Sequence, residues 1–255
     1  RGYKAPKPKE EKTNTEFVED DVQIDEKDST TAGVFNSLDE TASKAEDFVA
    51  KYQKVILGVV VAIAVIAIGY LAYEKYVAEP KENEAVERMA TAELNFRQAT
   101  DGVKSDSLYA LALNGSEGKF GFARIAEEYS GTDAGNLANY YAGMSSLNLG
   151  KFDDAIKYLE KFKSDDMMLS ALATGAIGDA YAEKNNMAEA LNYYAKAADK
   201  NNNNFTTPVF LMKAGKAALA VNKKADALKY FNEIKDKYEM SQEAQNVDAL
   251  IGLAQ

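Results

Sequence analysis

Asp165 and Asp166 are adjacent carboxylates ahead of an apolar stretch that opens at Met167. Two carboxyls held together can do general acid–base work, provided a closed cleft keeps one of them protonated. At the start of an apolar helix the same pair serves as cap and partner of the helix dipole, and that is the role expected here. Asp199, Asn201 and Asn203 have the alternate spacing of a calcium loop, but the central glycine and closing glutamate are absent, with Phe210 at the twelfth position. They read as a polar loop. The glycine-containing segments follow no strand, so no phosphate-cradling loop is indicated. The chain has no cysteine, histidine or tryptophan. Thiol chemistry, disulfides, the usual zinc sites and histidine bases are thereby removed. No catalytic, cofactor-binding or metal-binding residue is assigned, and no enzyme is expected.

The remaining function is binding, and the elements that would position it are organised around residues 55–73. This run of nineteen residues carries no charge, and Lys54, Glu74 and Lys75 end it. As a helix it would be about 28 Å long, close to the hydrocarbon thickness of a bilayer. Tyr52 at one end and Tyr70, Tyr73 and Tyr76 at the other suit the two headgroup interfaces. One membrane span over residues 54–76 is expected. Ahead of it, Val34, Phe35, Leu38, Ala42, Ala45, Phe48, Val49 and Tyr52 recur at helical spacing, predicting an amphipathic helix over 34–53. Its polar face is acidic, which favours a membrane-protein partner over anionic lipid. Phe35, Leu38, Phe48 and Val49, with the small Ala62 and Ala64 in the span, are the candidate contacts with such a partner. Residues 1–33 are polar, acidic and poor in apolar residues, and read as a disordered tail.

Net charge is −10, with acid in excess on both sides of the run. A nucleic-acid grip needs a basic surface, so no nucleic-acid partner is expected. Each flank of the run carries three basic residues within about 20 positions, which leaves the positive-inside rule nearly silent. A charged tail of some fifty residues is a poor candidate for export, whereas a long domain behind a signal anchor translocates readily. The tail is therefore expected in the cytoplasm and the C-terminal domain outside.

Residues 77–255 show helical periodicity throughout, with no period-two stretch, so the fold class is all-α. Gly143 and Ala155, Gly178 and Ala190, and Gly215 and Ala227 stand twelve apart, and the glycines are separated by 35 and 37 residues. That is close to the tetratricopeptide period of about 34. Gly178, Tyr181, Ala190, Tyr194 and Ala197 resemble that family's signature well, whereas Ser146 and Ala218 replace its aromatic residue. Gly118, Lys119, Phe120 and Ala123 echo a repeat start, suggesting a degenerate first repeat from about Glu84 to Ser130. Thr207 and Pro208 have the chemistry of a helix start. A terminal helix from Ser241 to Ala254 would cover the open end of the stack with Val247, Leu250, Ile251 and Leu253. The resemblance implies that the first helix of each repeat lines a concave binding surface. It would carry Leu137, Tyr140, Met144 and Leu147, then Leu172, Asp179 and Glu183, then Val209, Met212 and Lys216. The family's clamp for C-terminal carboxylates would need lysines and asparagines where this chain has Tyr140, Gly175, Met212, Met144, Asp179 and Lys216. An apolar extended or helical partner segment is the expected cargo.

An acidic tail, an amphipathic lead-in, one span and a divergent tetratricopeptide solenoid are together similar to the YfgM-like family of bacterial inner-membrane proteins, ancillary subunits of the Sec translocon. Residues 136–149, NLANYYAGMSSLNL, followed by GKFDDAIKYLEKF, look like the Bacteroidetes branch of such proteins. The resemblance implies a single-pass inner-membrane protein with a periplasmic domain. It further implies contact with Sec translocon subunits, a membrane-anchored peptidyl-prolyl isomerase chaperone and secretory or outer-membrane clients. A scaffold subunit of another envelope machine and an organelle import receptor are the alternatives.

Overall fold

The computed structural model describes the backbone of residues 30–102, 105–200 and 202–255, with side chains from residue 41 onward. The expected tail up to residue 29 lies outside them. The chain divides into two compact units, Arg1–Ile68 and Gly69–Gln255.

The described part of the first unit is helix α1 (Thr30–Tyr73), whose last residues belong to the second. The expected lead-in and span form one uninterrupted helix, since no proline, turn residue or capping box stands between them. Every residue from 41 to 77 is exposed. Among the described residues this is one helix long and apolar enough, by length and composition, to cross a membrane. None of its apolar window is buried, which sets it apart from a core helix of similar length.

The chain stays helical across Pro80. Glu74–Ala78 form one π turn, in which Glu79 N–H donates to Glu74 O, and α2 (Glu79–Asp101) follows with Pro80 in its first turn. A proline ring collides with the carbonyl four residues back and brings no donor, and a turn widened by one residue relieves both problems. α2 buries Ala85, Met89, Ala92 and Ala99, as its periodicity predicts, and leaves Leu94 exposed.

The stretch from Glu84 to Ser130 is not a two-helix repeat. After α2 come α3 (Asp106–Asn114), a two-residue antiparallel pair of strands, β1 (Gly115–Ser116) with β2 (Lys119–Phe120), and α4 (Phe122–Glu128). The glycines decide this. Gly115 has φ +81°, and a Cβ on Gly121 would stand 2.2 Å from Gly115 N, so the chain crosses itself where only glycine fits. Phe96 packs edge-on against Tyr109, Phe122 and Tyr141, which joins α2, α3, α4 and α5 in one aromatic core.

From residue 133 the chain is a stack of antiparallel helix pairs: α5 (Asp133–Asn148) with α6 (Phe152–Lys161), α7 (Met167–Glu183) with α8 (Met187–Lys200), and α9 (Thr207–Ala220) with α10 (Lys224–Lys237). Each pair closes on the same seam. A Cβ on Gly143 would meet Leu159, one on Gly178 would meet Tyr194 and one on Gly215 would meet Phe231, at 2.5, 2.7 and 2.3 Å. Ala155, Ala190 and Ala227, twelve residues after those glycines, are fully buried. The turn inside each pair is also built three times. Lys151, Asn186 and Lys223 donate backbone N–H to Ser146, Tyr181 and Ala218 O across a left-handed residue, Gly150, Asn185 or Asn222. This is a Schellman close, which only glycine and asparagine enter cheaply.

The stack ends on a 3₁₀ turn (Glu243–Asn246) and α11 (Val247–Ala254), which packs on α10. Val247 and Ala254 are buried, and Leu250 and Ile251 are half-buried against the same cluster. Leu253 is 66% exposed, contrary to expectation. Positions 247, 250, 251 and 254 share one helical face, and 253 falls outside it.

Candidate functional site

The short turns of the three pairs lie at one end of the stack, and the loops between pairs lie at the other. At the short-turn end, a cleft of about 420 Å³ separates the first pair from the second. Leu147, Asn148 and Phe152 form one wall, and Asp179, Glu183 and Tyr194 the other. Lys184 bridges to Asp153 at its mouth. Three of the expected groove residues, Leu147, Asp179 and Glu183, are thus brought together.

Asp179 is already engaged. Its carboxylate accepts from Tyr194 Oη at 2.7 Å and from Lys213 Nζ at 2.7 and 2.9 Å, tying α7, α8 and α9 together. Burial pushes the Tyr194 phenol well above its ordinary range, and the Asp179 charge and hydrogen bond add to this. Burial, then the charge and hydrogen bond of Glu160, push Tyr193 up to about 12. Both rings therefore stay neutral donors through the physiological range.

The remaining expected groove residues divide by helix. Leu137, Tyr140, Met144 and Leu147 are half-buried on α5, packed against the cluster of Ala155, Leu159, Ala173, Ala176 and Ile177. Tyr140 also stands 5.3 Å from the Phe162 ring. Leu172 is 39% exposed near the start of α7, and Glu183 is exposed at its end. On α9, Lys216 is exposed, Val209 half-buried and Met212 buried. The exposed members of the expected groove, Leu172, Glu183 and Lys216, thus lie on α7 and α9, while the α5 residues join pair to pair. At the clamp position Gly175, a Cβ would stand 1.9 Å from the Phe210 ring, so a side chain has no room there. Of the expected membrane-partner contacts, Phe48, Val49, Ala62 and Ala64 are exposed on α1. The side chains of Phe35 and Leu38 lie outside the described residues.

The Asp165, Asp166 pair stands at the start of α7, where Asp166 has the capping role expected of it. Asp166 is the N-cap of α7, its Oδ1 accepting from Met168 N and Leu169 N at 2.8 and 3.0 Å, and Asp165 is exposed. Asn201 lies outside the described residues. Asn203 Oδ1 accepts from Phe205 N and Thr206 N, a local turn that shapes the loop into α9. The N-cap of α9 is Thr206, one residue before the expected Thr207.

Sequence reading missed the end of the stack where the inter-pair loops lie. A polar cleft of about 620 Å³ is lined there by residues 130–133 together with Asn136, Asn139, Lys161 and Lys163. Asn136 holds its walls, donating to Lys163 O at 2.6 Å and accepting from Lys163 N at 2.9 Å. Beside it, Glu82 of α2 accepts from Asp133 N and Ala134 N at 2.7 and 2.9 Å, capping α5 across 51 residues of chain. Nothing local marks these partners, because each bond joins segments far apart in sequence.

Residues 137–166 match the family model of the tetratricopeptide repeat. The matched segment covers α5, α6 and the loop into α7, the first of the three pairs that share the seam and turn. Comparison with curated proteins and with solved structures found no match to the chain. A tetratricopeptide repeat within a stack of helix pairs supports a role in protein–protein interaction.

Proposed function

We propose that this chain is a non-catalytic, membrane-anchored adaptor of the Sec translocon. Residues 55–73 cross the bacterial inner membrane, the N-terminal tail is cytoplasmic, and the helix stack stands in the periplasm. There it binds a membrane-anchored peptidyl-prolyl isomerase chaperone and emerging secretory or outer-membrane segments. The carrying observation is the tetratricopeptide match at 137–166, within three pairs built on one seam. The exposed groove residues on α7 and α9 support the reading, as does the exposed apolar helix ahead of the stack. An apolar segment would lie along Leu172 and Val209, with Glu183 and Lys216 fixing its direction.

The test is photocrosslinking in intact membranes, with a photoreactive residue at Phe48, Leu172 or Glu183, followed by mass spectrometry of the adducts. Translocon adducts from position 48, with isomerase or client adducts from 172 and 183, are expected. Reproducible adducts to a different envelope complex, without translocon, would overturn the assignment. Labelling of introduced cysteines by a membrane-impermeant maleimide checks sidedness, with position 222 expected to react in cells whose outer membrane is permeabilised and the inner left sealed.

A further inference from the structure

The polar cleft between the 130–133 turn and the loop after α6 has walls held by the backbone itself. Gly131 takes φ +90°, and a Cβ on Gly135 would stand 2.0 Å from Tyr129 O, so the turn presses on the start of α5 where only glycine fits. Asn136 holds the opposite wall through its two bonds to the Lys163 backbone. The cleft is therefore preformed, and its volume of about 620 Å³ suits a small ligand or a chain end.

Asn139 lines this cleft and is only 8% exposed. Its Nδ2 donates to Gly135 O at 3.1 Å, which fixes the orientation of the amide, since an oxygen in that place would face the carbonyl. Oδ1 has no hydrogen-bond partner among the described residues, yet it is not sealed in the core as the Ser145 and Ser146 hydroxyls are. It opens on the cleft. A nearly buried acceptor of this kind calls for a donor.

The groups around it say which donor. The four N–H groups that open α5 are already taken, two by Glu82 and two by Thr132, so an anion finds no free helix start here. Asp133 and Asp165 expose carboxylates and Lys161 and Lys163 expose ammonium groups, and none of the four makes an ion pair among the described residues. Two carboxylates on separate segments, with no third acid beside them, make a poor metal cage.

We propose that this cleft binds a primary ammonium group, carried by an amino acid or by the free N-terminus of a peptide. The ammonium donates to Asn139 Oδ1, with Asp133 and Asp165 meeting its charge, and the carboxylate or carbonyl end lies toward Lys161 and Lys163. The site is separate from the groove residues on α7 and α9, and it stands whether or not residues 55–73 cross a membrane.

The test is isothermal titration calorimetry of the full chain in mild detergent with trialanine, N-acetyl-trialanine and L-alanine. Saturable binding of trialanine, weakened at least tenfold by acetylation, is expected. Equal affinity for alanine and trialanine would assign the site to a free amino acid, and tighter binding of trialanine to a chain end. Asn139→Leu and the double variant Asp133→Asn, Asp165→Asn should each weaken binding about tenfold, and the second changes only exposed side chains. Glu183→Gln, in the groove, should leave it unchanged. No saturable binding of any probe, or equal binding of the acetylated peptide, would overturn the proposal and leave the adaptor reading to its own crosslinking test. Binding lost in Glu183→Gln but kept in the double variant would move the site to the groove, which supports that reading and overturns this one.

Discussion

Ser145 and Ser146 are fully buried in α5, and neither hydroxyl has a hydrogen-bond partner among the described residues. A buried unpaired hydroxyl costs roughly 1–3 kcal/mol, so removing it from a packed helix is favourable. Ser146→Ala is expected to raise stability by about 1 kcal/mol, which is about 2–4 °C in Tm for a chain of this size. Circular dichroism melts of the full chain in mild detergent check it; a lowered Tm would mean that the hydroxyl is paired. The seam glycines behave in the opposite way. Gly215→Ala gains about 1 kcal/mol of helix propensity, but its methyl would stand 2.3 Å from the fully buried Phe231 ring. Overpacking of that kind costs about 1–3 kcal/mol, so a net loss of up to about 2 is expected. Gly143→Ala would bring its methyl 2.5 Å from Cγ of the buried Leu159 and 3.2 Å from Ala155 O, so it too is expected to lose stability. The sign is the test, because pure helix propensity would make both variants more stable. These positions also show what the sequence reveals at this scale. The glycine and alanine twelve apart are legible because they repeat in type. The residue that fills each glycine is Leu159, Tyr194 or Phe231, and a changing type gives no repeat signal.

Glu82 joins elements rather than packing within one. Its two oxygens satisfy the first two N–H groups of α5, while Thr132 Oγ1 accepts from Gly135 N at 2.9 Å. Four donors at a helix start have no intrahelical partner, and charge-assisted bonds to them are the stronger kind. Glu82→Ala is expected to cost about 1–2 kcal/mol and to loosen α2 from the first pair. Hydrogen exchange of the Asp133 and Ala134 amides reads this directly. If their protection is unchanged in the variant, Glu82 is not their cap. At this scale most helices were legible, since α2 and α5 to α11 each keep an apolar face over two or more turns. The region between α2 and α5 was not. α4 has seven residues, too few to nucleate alone, and it exists because Phe122 and Ile125 are fully buried against neighbours. The unbroken path through Pro80 is equally silent in the sequence: a widened turn absorbs the proline, and no residue type announces such a turn.

Across the whole stack, the expected groove was legible as a set of first helices, yet its four α5 members became the joint between pairs. Periodicity finds an apolar face but cannot say whether a neighbouring pair covers it. The same joints bury tyrosines along the length of the stack, and this gives the assembly a pH limit. Burial raises the Tyr140, Tyr141, Tyr158, Tyr193, Tyr194 and Tyr230 phenols above 10.0, with nearby carboxylates adding to several of them. In the unfolded chain each would lose its proton near pH 10, while the folded chain retains it to higher pH. Between those values the folded state binds more protons, so stability falls as pH rises. The tyrosine contribution is fully present below pH 10 and is lost through about pH 12 at Tyr193, with Tyr194 continuing the loss above that. Urea midpoints should therefore fall steeply above pH 10 beyond what lysine titration alone produces. Tyr193→Phe should flatten the fall, because its one hydrogen bond, to Glu160 at 3.2 Å, is exposed. Tyr194→Phe should flatten it too, but from a lower starting stability, because its hydroxyl also binds Asp179 within the joint of α7, α8 and α9. Equal alkaline slopes in wild type and both variants would show that these phenols ionise alike in the folded and unfolded chain, and would remove the tyrosines from the account of what joins the pairs.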